Sequence, residues 1–156
     1  MSFLGKVKKK LRNGSWYPFY NTFYEKNNLD PHMILLESRS GKALESNILS
    51  LLKELCQEPY RNFTLVLSVH RDSENEIKEK LQKNSIQGVH FVRTGSVAYY
   101  RALSRAGYLV NDTSFPGRFI KKEGQIYLNT WHGTPLKKMG RDNRPEMVTM
   151  GNVQRN

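Results

Sequence analysis

A chain of 156 residues with 38% hydrophobic and 25% charged side chains fits one globular domain with an ordinary core and is too short for two. Its 25 Lys and Arg against 14 Asp and Glu leave a formal net charge of +11, which points to phosphates, an anionic membrane surface or nucleic acid as partners. The single cysteine excludes a disulfide framework, and no apolar stretch approaches the ~20 residues that span a bilayer. The expectation is a protein of a reducing compartment that neither crosses a membrane nor carries an export signal.

Residues 1–13, MSFLGKVKKKLRN, carry Lys6, Lys8, Lys9, Lys10 and Arg12 and no acidic side chain, while Phe3, Leu4, Val7 and Leu11 fall near one helical face. This basic amphipathic segment, with Trp16 beside it, suits an anionic membrane surface. The aromatic run WYPFYNTFY, 16–24, suits either a membrane interface or a docking surface for another domain.

From residue 32 short apolar runs alternate with helical ones. HMILLES (32–38) reads as a buried strand, and ALESNILSLLKELC (43–56) as a helix with Leu44, Ile48, Leu51, Leu52 and Leu55 on one side. Cys56 falls in that pattern, so a buried, inert thiol is expected. FTLVLSV (63–69) is the second strand, and SENEIKEKLQKN (73–84) a helix opened by a Ser cap and early acids. GVHFVRT (88–94) is the third strand, followed by a helix over 96–106 that ends at Gly107, then strands YLVNDT (108–113) and QIYLNTWH (125–132). Such alternation implies right-handed crossovers and a mostly parallel sheet, hence a Rossmann-like α/β domain. The expected divisions are a basic and aromatic segment over 1–31, the α/β domain over 32–140, and an unfinished element over 141–156.

Ligands of open parallel sheets bind beyond the carboxyl ends of the strands, and His132 falls there. Gly133 permits a sharp turn, Thr134 can cap a short helix and Pro135 suits its first position. The free amides of such a turn, with Lys137 and Lys138 nearby, make an anion site, and a neutral imidazole beside it could accept a proton from an attacking hydroxyl. A structural histidine bonded to the backbone at a strand end is the alternative. SRSGKAL (38–44) fails as a nucleotide loop, because that pattern needs Gly at Leu36 and Ser or Thr at Ala43. Its Ser40 and Gly41 instead make a turn into the first helix. His32, His70 and His90 lack zinc-site spacing, and no acidic cluster suggests another metal. His70, Arg71 and Asp72 read as a polar loop capping the next helix. Asn111, Asp112 and Thr113 end a strand and either bind a ligand hydroxyl or make a turn. Arg118, Lys121 and Lys122 could meet an anionic acceptor or simply be solvated.

YLNTWHGTPLKKMG (127–140) resembles the signature of the CDP-glycerol glycerophosphotransferase family of teichoic acid and capsule synthesis. LLESRSGKALESN (35–47) and MGNVQRN (150–156) resemble it too, and the match is continuous over YLVNDTSFPGRFIKKEGQIYLNTWHGTPLKKMG (108–140). The resemblance implies the N-terminal, acceptor-side domain of a GT-B-like two-domain enzyme. It implies transfer of glycerol phosphate from CDP-glycerol to a lipid-linked or polymeric acceptor, with release of CMP and no cofactor. His132 falls on the family's first essential histidine and resembles a general base. Gly133, Thr134 and Lys137 match the same motif, and with Lys138, Asn111 and Arg118 they make the expected substrate-binding set. The second essential histidine and most of the donor site would belong to a C-terminal domain. Location at the cytoplasmic face of a bacterial membrane, peripherally attached, is the corresponding expectation. A non-catalytic module that binds anionic polymer or lipid-linked acceptor is the competing function. Nucleic acid is not an expected partner, since no recognised RNA or DNA module appears.

Overall fold

The computed structural model describes residues 23–116 and 119–131. In chain order the elements are β1 (Asp30–Glu37), α1 (Ser46–Leu55), β2 (Thr64–Val69), α2 (Glu74–Lys83), β3 (Val89–Arg93), α3 (Val97–Arg105), β4 (Ala106–Asn111) and β5 (Ile126–Asn129). The strands form one sheet in the order β3-β2-β1-β4-β5, and every neighbouring pair is parallel. The α/β expectation is met.

Side chains alternate between the two faces of a strand, and in this sheet both faces are covered. Ile34, Leu36, Leu65 and Leu67 pack with Ile48 and Leu52 of α1 and Ile77 and Leu81 of α2. On the opposite face, Leu35, Val66 and Leu109 pack with Tyr99, Ala102 and Leu103 of α3. This two-sided burial is why β1 reads as a continuous apolar run rather than an alternating one. The chain builds outward from β1 through β2 to β3, then returns through α3 to β4 on the other flank of β1. A topological switch point therefore lies between the carboxyl ends of β1 and β4, where ligands of such folds bind.

Several local expectations change. β1 begins at Asp30 rather than 32, with Asp30 Oδ1 accepting from the His32 amide at 3.0 Å. Gly107 does not end a helix: α3 stops at Arg105 and runs directly into β4. A Cβ on Gly107 would come within 2.8 Å of the Asp30 carbonyl oxygen, so the residue serves close approach of β4 to β1. Buried Gln125 braces the junction of α3 and β4, its Nε2 donating to Leu103 O and Ala106 O at 3.0 and 2.7 Å. Ser73 makes no side-chain cap; a 3-10 turn over Arg71–Ser73 precedes α2, and the Asp72 amide approaches His70 Nδ1 at 3.4 Å. Ser96 is a true cap, its hydroxyl accepting from the Tyr99 amide at 3.1 Å. Cys56 is half-buried rather than buried, because it lies just beyond the last turn of α1. Burial still raises its thiol pKa, which keeps it protonated and unreactive.

Phe23 and Tyr24, part of the expected membrane or docking run, face this domain. The Arg101 guanidinium of α3 lies 5.4 Å from the Phe23 ring centre, and Tyr24 packs against the α3-side core. Asn27 Nδ2 donates to Ser104 Oγ at 2.8 Å. This part of the 1–31 segment thus belongs to the sheet domain. The basic run with Lys6, Lys8, Lys9, Lys10 and Arg12, and Trp16 with it, lies outside the described residues, as does 141–156. Among the described residues no helix is long and apolar enough to cross a membrane.

Candidate functional site

The carboxyl ends of β1, β4 and β5 bring Glu37, Asn111 and Asn129 into register on adjacent strands. Beyond β1 the chain makes a tight 3-10 turn over Arg39–Gly41, in which Arg39, Ser40 and Gly41 all have positive φ. Two consecutive non-glycine residues in that region are costly, about 1–2 kcal/mol each, so the turn needs an anchor. Asp112, 1% exposed, supplies it: its carboxylate accepts from Ser38 Oγ and from the Arg39 amide, each at 2.8 Å. Ser38 Oγ in turn accepts from the Glu45 amide at 3.2 Å, tying the turn to the start of α1. Gly41 closes the turn against β2, its carbonyl accepting from the His70 amide at 2.6 Å. The expectation of a Ser40–Gly41 turn holds, and Asp112 is its structural partner.

Glu37 ends β1 with its side chain on the α3 face and is 1% exposed. Burial lifts its pKa from 4.5 to about 7; the Tyr99 and Ser68 hydroxyls oppose the shift and the Asp112 carboxylate adds to it. Although Tyr99 faces the carboxyl group closely enough to influence it, neither Glu37 Oε2 nor the Tyr99 hydroxyl completes a hydrogen bond. Tyr99 is itself pushed well above the ordinary phenol range, first by burial and then by the Glu37 charge.

The folded protein binds the Glu37 proton more tightly than the unfolded chain. The stability this residue contributes is therefore complete below its unfolded pKa and is lost as pH rises through about 7, a loss of roughly 3 kcal/mol. Glu37→Gln should remove that slope. Urea unfolding of both proteins at about pH 5 and about pH 8 checks this; identical pH dependence in the two would show that Glu37 is charged in the fold.

Asn111 is fully buried, with Oδ1 accepting from the Tyr127 hydroxyl at 3.0 Å and Nδ2 unpartnered. Tyr127 is steered there by Phe115 and Phe119, whose ring centres lie 5.5 and 6.3 Å from its own. The Asn111 carbonyl continues the β4–β5 ladder by accepting from the Thr130 amide at 2.8 Å. β5 ends at Asn129, and the described chain continues through Thr130 to Trp131. Asn111 is the described member of the expected substrate-binding set. His132, Gly133, Thr134, Lys137, Lys138 and Arg118 lie outside the described residues.

Lys121 and Lys122 are engaged locally rather than simply solvated. Lys121 Nζ donates to Gln125 O at 2.8 Å; Lys122 Nζ donates to the Asn27 carbonyl and lies 5.3 Å from the Tyr24 ring centre. His32 and His90 are exposed, and His32 leans on Phe63 with ring centres 5.8 Å apart. Among the described residues no group of three His, Cys, Asp or Glu side chains could hold a metal. Sequence reasoning passed over Glu37, Asn47 and Asn129. The only signal was a polar residue at the end of an apolar strand, or at the start of a helix, which ordinarily marks a solvated boundary.

A family model described as CDP-glycerol:poly(glycerophosphate) glycerophosphotransferase matches residues 19–156, a span that contains the whole sheet and His132. The chain belongs to that family. It is 32% identical over 123 residues to a teichoic acid poly(glycerol phosphate) polymerase of Staphylococcus epidermidis, covering 79% of this chain and 16% of the relative. It is 28% identical over 137 residues to a teichoic acid glycerol-phosphate transferase of Staphylococcus aureus, covering 87% and 33%. A structure of the wall teichoic acid polymerase TagF superposes with a TM-score of 0.67 at 27% identity, over 90% of this chain and 32% of that one. A TagF variant soaked with CDPG superposes with a TM-score of 0.65 at 27% identity, over 92% and 35%. The chain thus spans between a sixth and about a third of the lengths of these relatives.

Proposed function

We propose that the whole protein transfers glycerol phosphate from CDP-glycerol to a hydroxyl of a lipid-linked or polymeric glycerol-phosphate acceptor, and that this domain forms the acceptor side of the cleft. The acceptor oxygen bonds to the β-phosphorus, the pyrophosphate P–O bond breaks, CMP departs, and the acceptor proton passes to the His132 imidazole. The observation that carries this reading is the delivery of β5, through Thr130 and Trp131, to the carboxyl edge beside the β1–β4 switch point. That is where the family motif begins. Gly133, Thr134, Lys137, Lys138, Asn111 and Arg118 would shape the acceptor side, with the donor nucleotide held mainly by a second, GT-B-like domain. No cofactor enters the reaction as proposed. The test is CMP release by the full-length protein given CDP-glycerol and a glycerol-phosphate acceptor; absence of CMP with both present would remove the transferase reading. Binding of poly(glycerol phosphate) without any CMP would instead favour the polymer-binding module.

The basic N-terminus supports peripheral attachment at the cytoplasmic membrane face. Each Lys or Arg near an anionic surface contributes about 1 kcal/mol, so Lys6, Lys8, Lys9, Lys10 and Arg12, with Trp16 at the interface, suffice for reversible binding. The intact protein should float with phosphatidylserine-containing liposomes and lose that association at high salt. A form lacking residues 1–13 should stay at the bottom of the gradient; equal flotation of both would exclude this segment as the anchor.

A further inference from the structure

Trp131 has φ +50, a region that bulky L-residues occupy only when their surroundings compel it. Packing of the indole does not compel it, since Trp131 is 54% exposed. Its backbone is held instead. The Trp131 amide donates to Asn129 Oδ1 at 3.0 Å, closing an Asx turn at the end of β5. Asn47 Nδ2, from the first turn of α1, donates to the carbonyls of Thr130 and Trp131 at 3.3 and 3.4 Å. The orientation of the Asn129 amide is set by its other end, where Nδ2 donates to the Thr113 carbonyl at 2.6 Å. The Thr130–Trp131 peptide thus meets Asn47 of α1 at its carbonyl and Asn129 of β5 at its amide, while Thr113 orients Asn129.

We infer that Asn47 and Asn129 are positioning residues, which hold Trp131 in its left-handed conformation and so fix the point from which the chain passes to His132. The inference rests on the proposed role of His132 as base. The chemistry of both positions requires asparagine. At 129 the side chain must accept from one amide and donate to one carbonyl, and aspartate would set a charge against Thr113 O. At 47 it must donate to two carbonyls, which aspartate cannot do. Released from these contacts, Trp131 returns to negative φ, and the direction in which the chain leaves its carbonyl carbon changes. Small misplacements of a reacting group cost large factors in rate.

The test measures CMP release by full-length wild type, Asn47→Ala, Asn129→Ala, Asn129→Asp, the double alanine variant and His132→Ala. The two single alanine variants should lower kcat about tenfold with KM for CDP-glycerol within about twofold of wild type. Asn129→Asp should fall at least as far as Asn129→Ala. Because both asparagines act on one peptide, the double variant should lose clearly less than the product of the single losses. NMR of the 156-residue chain supplies a readout independent of catalysis: backbone shifts and the amide–Hα coupling of Trp131 should report positive φ in wild type and its loss in Asn129→Ala. Wild-type kcat in both single variants, with His132→Ala inactive, would overturn the inference and leave the base intact. A Trp131 φ unchanged in Asn129→Ala would overturn it too, as would kcat losses that track melting temperature and vanish on cooling. Near-normal turnover by His132→Ala would instead remove the underlying reading.

Discussion

His132→Ala in the full-length protein should reduce CMP release from CDP-glycerol by roughly 10²- to 10⁴-fold, the range that a positioned general base contributes to proton transfer. The loss should fall on kcat and on kcat/KM alike, because the imidazole takes a proton only as the acceptor oxygen attacks. Donor affinity should change little, since the donor site is assigned mainly to the other domain. In wild type kcat/KM should fall toward acid pH, the neutral imidazole being the active form of a general base. That fall should be missing from whatever activity remains in the variant. Steady-state kinetics across about pH 5 to 9 reads both quantities. Turnover within a few-fold of wild type would exclude His132 as the base.

Gly41→Ala should be the most damaging single methyl group in the described fold. Gly41 has φ +78, and a Cβ there would overlap Thr94 Oγ1 and lie 2.8 Å from the His70 amide nitrogen and 3.0 Å from the Val69 carbonyl carbon. Two of these neighbours are backbone of β2 and its exit. The third is a hydroxyl already bonded to Ser68 Oγ at 2.8 Å, so none can move freely. Left-handed strain of about 1–2 kcal/mol adds to overpacking of about 1–3 kcal/mol, for a loss near 3 kcal/mol and a melting temperature lower by about 10 °C. Gly88→Ala is the control, because Gly88 has φ +75 with nothing within 4 Å of its would-be Cβ. It should lose only the strain. Equal melting temperatures for the two variants would refute the crowding argument at the β1–β2–β3 junction.

His132 is proposed from the sequence, because an unusual string of residues at the end of an apolar run carries its own signal. The same holds for the strands at 64–69 and 89–93, whose apolar runs were placed within a residue at either end. Gly41 was legible only as a turn residue. Its crowding comes from Thr94 and His70, which arrive from the ends of other strands. Gly107 shows the opposite failure. A glycine after a helical pattern is ordinarily a C-terminal cap, but β1 passes so close that the residue's missing side chain matters more than its conformational freedom. Ser73 failed as a cap because the chain leaves β2 through a 3-10 turn that no local pattern announces.

Element type, the parallel α/β class and the family were determined by the sequence alone, since each is written in periodicity or in one contiguous motif. Tertiary structure decided the rest of the site. Parallel pairing laid Glu37, Asn111 and Asn129 side by side. The packing of α3 over that edge buried Glu37 and raised its pKa. Convergence of α1, β4 and β5 held Trp131 at positive φ. These properties depend on groups far apart in the chain meeting in a water-poor place. Desolvation and backbone strain arise from what surrounds a residue, which its neighbours in sequence do not specify.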